Sequence, residues 1–510
     1  MLHRSHFWGL KKVDVCVIGG GPAGIATALR AVDYKKKACI VEANRIGGAD
    51  LWNGALQSKT LWEMSKFVRL MTGQTASRFM KPLMPLPPID SSNAQKAIKN
   101  ASELRYAQIV HQLKIVDIDV IEGYGSFMSP QSVDVQLASG GTERVEADYF
   151  VIACGAQPRK HVSVTWDGKV VFTSDDIMNR AFPKSIVIIG AGVIGCEFAS
   201  IFANFGMTKV NVIEKSNRIL PMEDDDVAEF VQKLLENKGV TFHHHSALES
   251  NKVKNGQFHY TLRNLIDNKL TTHIVDNALV SIGREPNLSG LGLENIGVGI
   301  QRGKLERDQF NRVKPHKHIY ACGDVATKFA LVNVGELEGR SCIDHIYHPH
   351  PEGEFVQRLD NLSTIMFLDQ EVAAVGLNEQ QCRKQNIAYK MARYGYEFVA
   401  RAVAMGNTRG FVKLIVTNDR EMQVLGVRAI GPHASSVIEL ASLAIHNKET
   451  LYNLSELRTA YPTVTQGFQE CVNMLLGTSL LKPNVFPQLV LQEWSPPNFD
   501  RGRAYQGDRI

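Results

Sequence analysis

Twice along the chain a β-branched apolar run passes through glycines into a helical pattern and on to a second apolar run. The first is VDVCVIGGGPAGIATALRAV followed by ACIVE, and the second is KSIVIIGAGVIGCEFASIFANFGMTKVNVIEK. Each predicts strand, tight turn, helix and strand. Two more apolar strands end in small-residue turns: YFVIACGAQPR (149–159) and HIYACGDVAT (318–327). Further on, GFVKLIV and MQVLGVRAIG read as strands before the helical SSVIELASLAIHN. KPLMPLPPID (81–90) is a proline-rich connection before a helical SSNAQKAIKNASELRYAQIVHQL, and IYHPHPEGE (346–354) reads as a linker.

The glycines give the two repeated units a chemistry. Gly19, Gly21 and Gly24 form GxGxxG between strand and helix, with Pro22 and Ala23 inside it. Gly19 allows the tight turn, Gly21 lets a pyrophosphate approach the backbone, and Gly24 permits close helix–strand packing. The helix N-terminus offers free N–H groups to the phosphates. Glu42 closes the next strand, placed to accept from a ribose diol. Gly190, Gly192, Gly195 and Glu214 repeat the set. Two units imply two dinucleotides, and electron transfer between two dinucleotides pairs a resident flavin with a visiting nicotinamide.

Composition adds exclusions. The chain has 510 residues, room for about three domains. Its 44% hydrophobic and 21% charged content is that of an ordinary soluble protein, and a formal charge of +5 gives no reason to invoke nucleic acid. No apolar run is long enough to predict a membrane span. Eight scattered cysteines without a CxxC pair suit buried thiols in a reducing compartment. The start, MLHRSHFWGLKK, is either the stub of a mitochondrial presequence or a frayed basic end, which leaves matrix and cytoplasm both open. FHHHS (242–246) is not expected to hold metal, because consecutive strand residues face alternate sides. The tail after Pro483 reads as an exposed arm.

Together these motifs, in this order, resemble the pyridine nucleotide-disulfide oxidoreductases from about residue 12 to about 477, with soluble pyridine nucleotide transhydrogenase and dihydrolipoamide dehydrogenase as the nearest members. The resemblance implies an α/β fold: two Rossmann-like dinucleotide-binding domains, for FAD and NAD(P), and a C-terminal α+β dimerisation domain. The parts would be 1–158 and 281–357 for FAD, 159–280 for NAD(P), 358–480 for dimerisation and 481–510 as an extension. FAD would occupy the first glycine loop, with Gly48, Gly155, Gly323 and Asp324 returning to it. Asp324 also suits a helix N-cap. NAD(P) would occupy the second loop, with Gly283 and Arg284 of SIGREPN crossing back. Lys59 would stand near flavin N5, ion-paired to Glu197, the alternative being a solvated surface lysine.

The resemblance breaks at two places. In GGADLWNGALQSK (47–59), Asp50 and Ala55 stand where thiol-reducing members carry a cysteine pair. The family's C-terminal His-Pro and Glu are Tyr461-Pro462 and Gln466. A phenol is a poor proton acceptor at neutral pH, and an amide cannot stabilise an imidazolium. The two losses fit each other, since without a thiolate to generate no histidine base is required. The expectation is a homodimeric FAD enzyme that oxidises NAD(P)H without a disulfide and exchanges hydride between pyridine nucleotides. Its rivals are a diaphorase reducing a quinone and a pseudoenzyme kept as a subunit of a larger complex. Glu214 favours NADH, while Lys215 and Arg218 leave NADP open.

Overall fold

The computed structural model describes residues 7–72, 90–177, 180–327, 329–348 and 359–497. The first repeated pattern becomes β1 (Phe7–Ile18), α1 (Pro22–Asp33) and β2 (Ala38–Glu42). Pro22 opens α1, where its missing N–H costs nothing. Val15, Cys16 and Val17 are all buried although alternate strand residues face opposite ways, so this run is covered on both faces. After β2 come α2 (Gly48–Trp52), α3 (Ala55–Thr72) and α4 (Ser91–Ile115), the last capped by Asp90, which accepts from the Ser92 N–H at 2.8 Å. Then follow β3 (Asp119–Ser129), β4 (Ser132–Leu137) and β5 (Thr142–Ile152).

The second pattern gives β6 (Val171–Thr173), β7 (Ser185–Ile189), α5 (Val193–Phe205), β8 (Lys209–Ile213), α6 (Asp225–Glu236) and β9 (Thr241–His243). An antiparallel meander, β10 (Ser246–Lys254), β11 (Gln257–Asn264) and β12 (Leu270–Val275), leads into β13 (Asn277–Val280). The chain then returns to the first sheet as β14 (Ile319–Ala321), followed by α7 (Val332–Tyr347). Parallel ladders order the first sheet β3-β2-β1-β5-β14 and the second β9-β8-β7-β13-β6. In both, the strand before the glycines lies between its successor and a later strand. That is the switch point where doubly wound sheets bind ligands.

The third unit is an antiparallel sheet, in the order β15 (Thr364–Phe367), β16 (Glu371–Gly376), β19 (Val424–Gly431), β18 (Phe411–Thr417), β17 (Tyr389–Gly395) and β20 (Val490–Trp494). It packs against α8 (Ala434–His446) and α9 (Gln466–Leu475). Two buried ionic knots fasten it to the rest. The ammonium of Lys413, fully buried, meets Asp224 at 2.7 Å, Asp226 at 2.6 Å and Glu379 at 3.0 Å. In mirror image, buried Asp369 meets Arg69 at 3.1 Å, Arg409 at 3.5 Å and Lys238. Breaking such a pair from one side strands a buried charge, which fixes the placement of the units.

Three expectations need correction. Phe7–Lys12 is no frayed end, because it extends β1 along β5 as far as Thr142. The tail is not simply an exposed arm: β20 pairs with β17, and Trp494 stacks on Tyr389 with ring centroids 5.9 Å apart. The supposed linker begins inside α7, which runs to Tyr347. Residues 1–6, 81–89 and 349–354 of the other quoted segments lie outside the described residues.

Candidate functional site

Both glycine loops are built the same way. Gly19 (φ +108°) and Gly190 (φ +104°) have left-handed backbone, and a Cβ would fall 2.4 Å from the Ala153 carbonyl oxygen or 2.6 Å from that of Ser281. A Cβ on Gly24 would fall 1.9 Å from the Gly19 carbonyl oxygen, and one on Gly195 2.1 Å from that of Gly190. The outer glycines therefore serve packing. α1 and α5 start at Gly21 and Gly192 with no side-chain cap, leaving N–H groups free for an anion. The acids match too. Glu42 accepts from the Gly20 N–H at 2.6 Å and the Asn44 N–H at 2.8 Å; Glu214 accepts from Ala191 at 3.0 Å and Ser216 at 2.9 Å.

The middle glycines differ. A Cβ on Gly21 would meet the Gly48 Cα at 3.9 Å, and one on Gly48 (φ +56°) would fall 2.8 Å from the Gly21 Cα, whereas nothing lies within 4 Å of a Cβ on Gly192. The first cradle is roofed by the start of α2 and the second is open. A Cβ on Gly323 would fall 2.9 Å from the Ala23 Cβ, which brings β14's end against α1. Asp324, next along, is pushed above the usual carboxylate range by burial, with Arg284 opposing and Glu338 reinforcing. Gly155 and Gly283 flank a short antiparallel pair, Ala156–Pro158 with Arg284–Pro286, by which the chain crosses between the two units. Nothing lies within 4 Å of a Cβ on either glycine.

At the other end of the first cradle, Lys59 on α3 meets Glu197 on α5. Its Nζ lies 2.9 and 3.2 Å from the two carboxylate oxygens. Glu197, buried, also accepts from the Phe367 N–H at 2.9 Å, and the Lys59 ammonium lies 4.9 Å from the Phe367 ring centre. The solvated-lysine alternative is therefore set aside: three units converge on one ammonium. Beside it opens a cleft of about 480 Å³ lined by Asp50, Ala55, Leu56, Lys59, Ala101, Leu104, Arg105 and Gln108. An adjoining cleft of about 220 Å³ shares Asp50 and Arg105 and reaches Pro22, Gly47, Glu336 and Arg340. In the single chain Tyr461 and Gln466 line neither; Tyr461 stands 74% exposed on the third unit.

Sequence reasoning missed several participants. Asp175 accepts from Asn53 at 3.0 Å and from Arg284 at 2.9 Å, tying the loop after α2 to the crossing strand. Arg105 and Leu104 come to the cleft from α4. The histidines of FHHHS belong to no ligand set among the described residues. The acids Asp224, Asp226 and Glu379, which have ligating spacing, already surround the Lys413 ammonium.

The pyridine nucleotide-disulphide oxidoreductase profile matches residues 13–339, more than half the chain, and that family's dimerisation-domain profile matches 362–472. The chain belongs to this family. It is 30% identical to a dihydrolipoyl dehydrogenase of Bacillus subtilis over 90% of this chain and 96% of the relative. It is 31% identical to one of Mycobacterium tuberculosis over 91% and 98%. The crystal structure of LpdA from M. tuberculosis superposes with a TM-score of 0.82 at 27% identity, covering 91% of this chain and all of that one. The family's cofactors are FAD and NAD(P)H, and the uncapped, glycine-lined cradles fit two such pyrophosphates. Among the described residues no helix is long and apolar enough to cross a membrane.

Proposed function

We propose that this chain is an FAD-dependent NAD(P)H oxidoreductase that works without a redox disulfide, exchanging hydride between pyridine nucleotides in the manner of soluble transhydrogenase. The observation that carries this reading is that Asp50 and Ala55 both line the cleft beside Lys59 and no cysteine does. Cys154, the least buried thiol, donates to the Asn287 carbonyl at 2.9 Å and is pushed up to about 12 by burial, which withholds the reactive thiolate. The Bacillus and Mycobacterium relatives are named for dihydrolipoyl oxidation, a reaction for which this cleft holds no thiol relay.

Gly19, Gly21, Pro22, Ala23, Gly24, Glu42, Gly48, Gly155, Gly323 and Asp324 would hold FAD. Gly190, Gly192, Gly195, Glu214, Gly283 and Arg284 would hold the nicotinamide nucleotide. The flavin, when bound, supplies reversible two-electron chemistry. Lys59 supplies a fixed positive charge where negative charge develops, and Glu197, held by the Phe367 N–H, orients it. Glu214 accepts from a ribose 2′-hydroxyl and disfavours a 2′-phosphate. Of the two cations that could relieve that repulsion, Arg218 is engaged with Asp225, Gln380 and the carbonyls of Leu220 and Pro221, while Lys215, exposed beside Glu214, leaves NADP use open. The test is anaerobic stopped flow on the FAD-loaded protein: NADH should bleach the flavin, and NADP⁺ should then restore its colour. A flavin that NADH never bleaches would remove this reading in favour of a structural subunit.

A further inference from the structure

We propose that Asp50 is the proton donor for a second class of acceptor, a quinone bound in the cleft between α3 and α4. The inference rests on the reading that reducing equivalents reach this site without thiols. Three features of the cleft carry it. Its walls are largely apolar, with Ala55, Leu56, Ala101 and Leu104 offering an open apolar surface against which a ring can lie. Lys59 is among its lining residues, so an acceptor there lies beside the side chain that carries the charged centre of the site. Asp50 is the one carboxyl among its lining residues, and it also borders the adjoining cleft, which offers a path along which a proton can be replaced.

The groups facing Asp50 set its protonation. Burial raises the carboxyl above its ordinary value, and Glu336 on α7 reinforces this. Arg105 on α4 and the Leu56 backbone N–H oppose it. Lys59 on α3 and Arg340 on α7 complete the charged surroundings. Arg340 is paired with Glu336 at 3.7 Å.

The chemistry separates the two acceptors. Exchange between nicotinamides moves a hydride and consumes no proton. Quinone reduction consumes one: NAD(P)H, a proton and a quinone give NAD(P)⁺ and a hydroquinone. The nicotinamide is oxidised by loss of hydride, the quinone gains that hydride and one proton, and the proton's O–H bond on Asp50 breaks as that on the quinone oxygen forms. Water then reprotonates Asp50. Nicotinamide exchange gives a carboxyl in this position nothing to do.

The experiment uses FAD-loaded protein reduced with dithionite, so that it does not depend on whether NADH reduces the flavin. Duroquinone is the probe, because its ring is fully substituted and does not add to thiols. Reoxidation by duroquinone should slow as pH rises through the raised pKa of Asp50. In Asp50→Asn it should be about 10²–10⁴-fold slower, the usual worth of a positioned general acid, and without that pH dependence. Calorimetry should show duroquinone binding the oxidised Asp50→Asn protein with wild-type affinity, while Leu104→Trp, which crowds the cleft, should abolish binding. Wild-type reoxidation rates in Asp50→Asn, a pH-independent wild-type rate, or binding that survives Leu104→Trp would each overturn the proposal. Failure of NADH to bleach the flavin would instead strike only the function on which it rests.

Discussion

The two glycine loops are near copies in their packing and differ in what stands beside them. In each, the first glycine touches the strand that returns to the switch point, the third touches the first, and an acid bonds the loop's backbone. Yet Gly21 lies under Gly48, while Gly192 faces empty space. The same local sequence solution thus produces one cradle with the start of α2 set against it and one without such a neighbour. A cofactor that must stay suits the first, and a substrate that must leave after each turnover suits the second. The difference lies in the segment that follows β2 in the first unit, the same segment that carries Asp50, Ala55 and Lys59.

Substitutions can press on this contrast. The largest effect should come from Lys59→Met, which ought to keep FAD in its roofed cradle but slow flavin reduction by NADH about 10²–10³-fold in stopped flow. Glu197→Gln should slow it less, because it only orients the lysine. Next, Glu214→Ala at the open cradle should narrow the preference for NADH over NADPH by about 1.5–3 kcal/mol, read from the two dissociation constants. FAD content should not change. Gly48→Ala should do the reverse. Its left-handed backbone alone costs a side chain about 1–2 kcal/mol, and the new methyl meets Gly21, so FAD should be lost on dilution sooner than from Gly192→Ala.

The smallest effect concerns Asp324. Its folded carboxyl is raised, so the proton stabilises the fold, and that stability is lost as pH climbs from the ordinary carboxylate range through the raised value. Asp324→Asn should therefore raise the melting temperature of the FAD-free protein at neutral pH, by about 0.5–2 kcal/mol in stability, and lose the advantage in acid. It should weaken FAD retention at the same time.

Local signals carried the parts of this account that were readable beforehand. Glycine spacing, the strand before it and the acid after it all lie within one βαβ unit, so both cradles could be placed from the sequence. Lys59 and Glu197 were found only through family resemblance, being 138 residues apart. The Phe367 N–H that holds Glu197 comes from 170 residues away and is a backbone group, which no side-chain pattern reports. Asp175, Arg105 and the knots around Lys413 and Asp369 were invisible for the same reason: a charged residue in isolation reads as surface. The tail misled because its apolar run is short, and pairing with β17 rather than composition makes it a strand.

The central claim is that electrons pass through this site without thiols. An anaerobic titration of the FAD-loaded protein with NADH tests it most directly. The absorbance should collapse in one step to that of two-electron-reduced flavin, with no long-wavelength band from a thiolate beside the ring, and the reduced protein should leave lipoamide untouched. Appearance of that band, or turnover with lipoamide, glutathione disulfide or thioredoxin, would contradict the account.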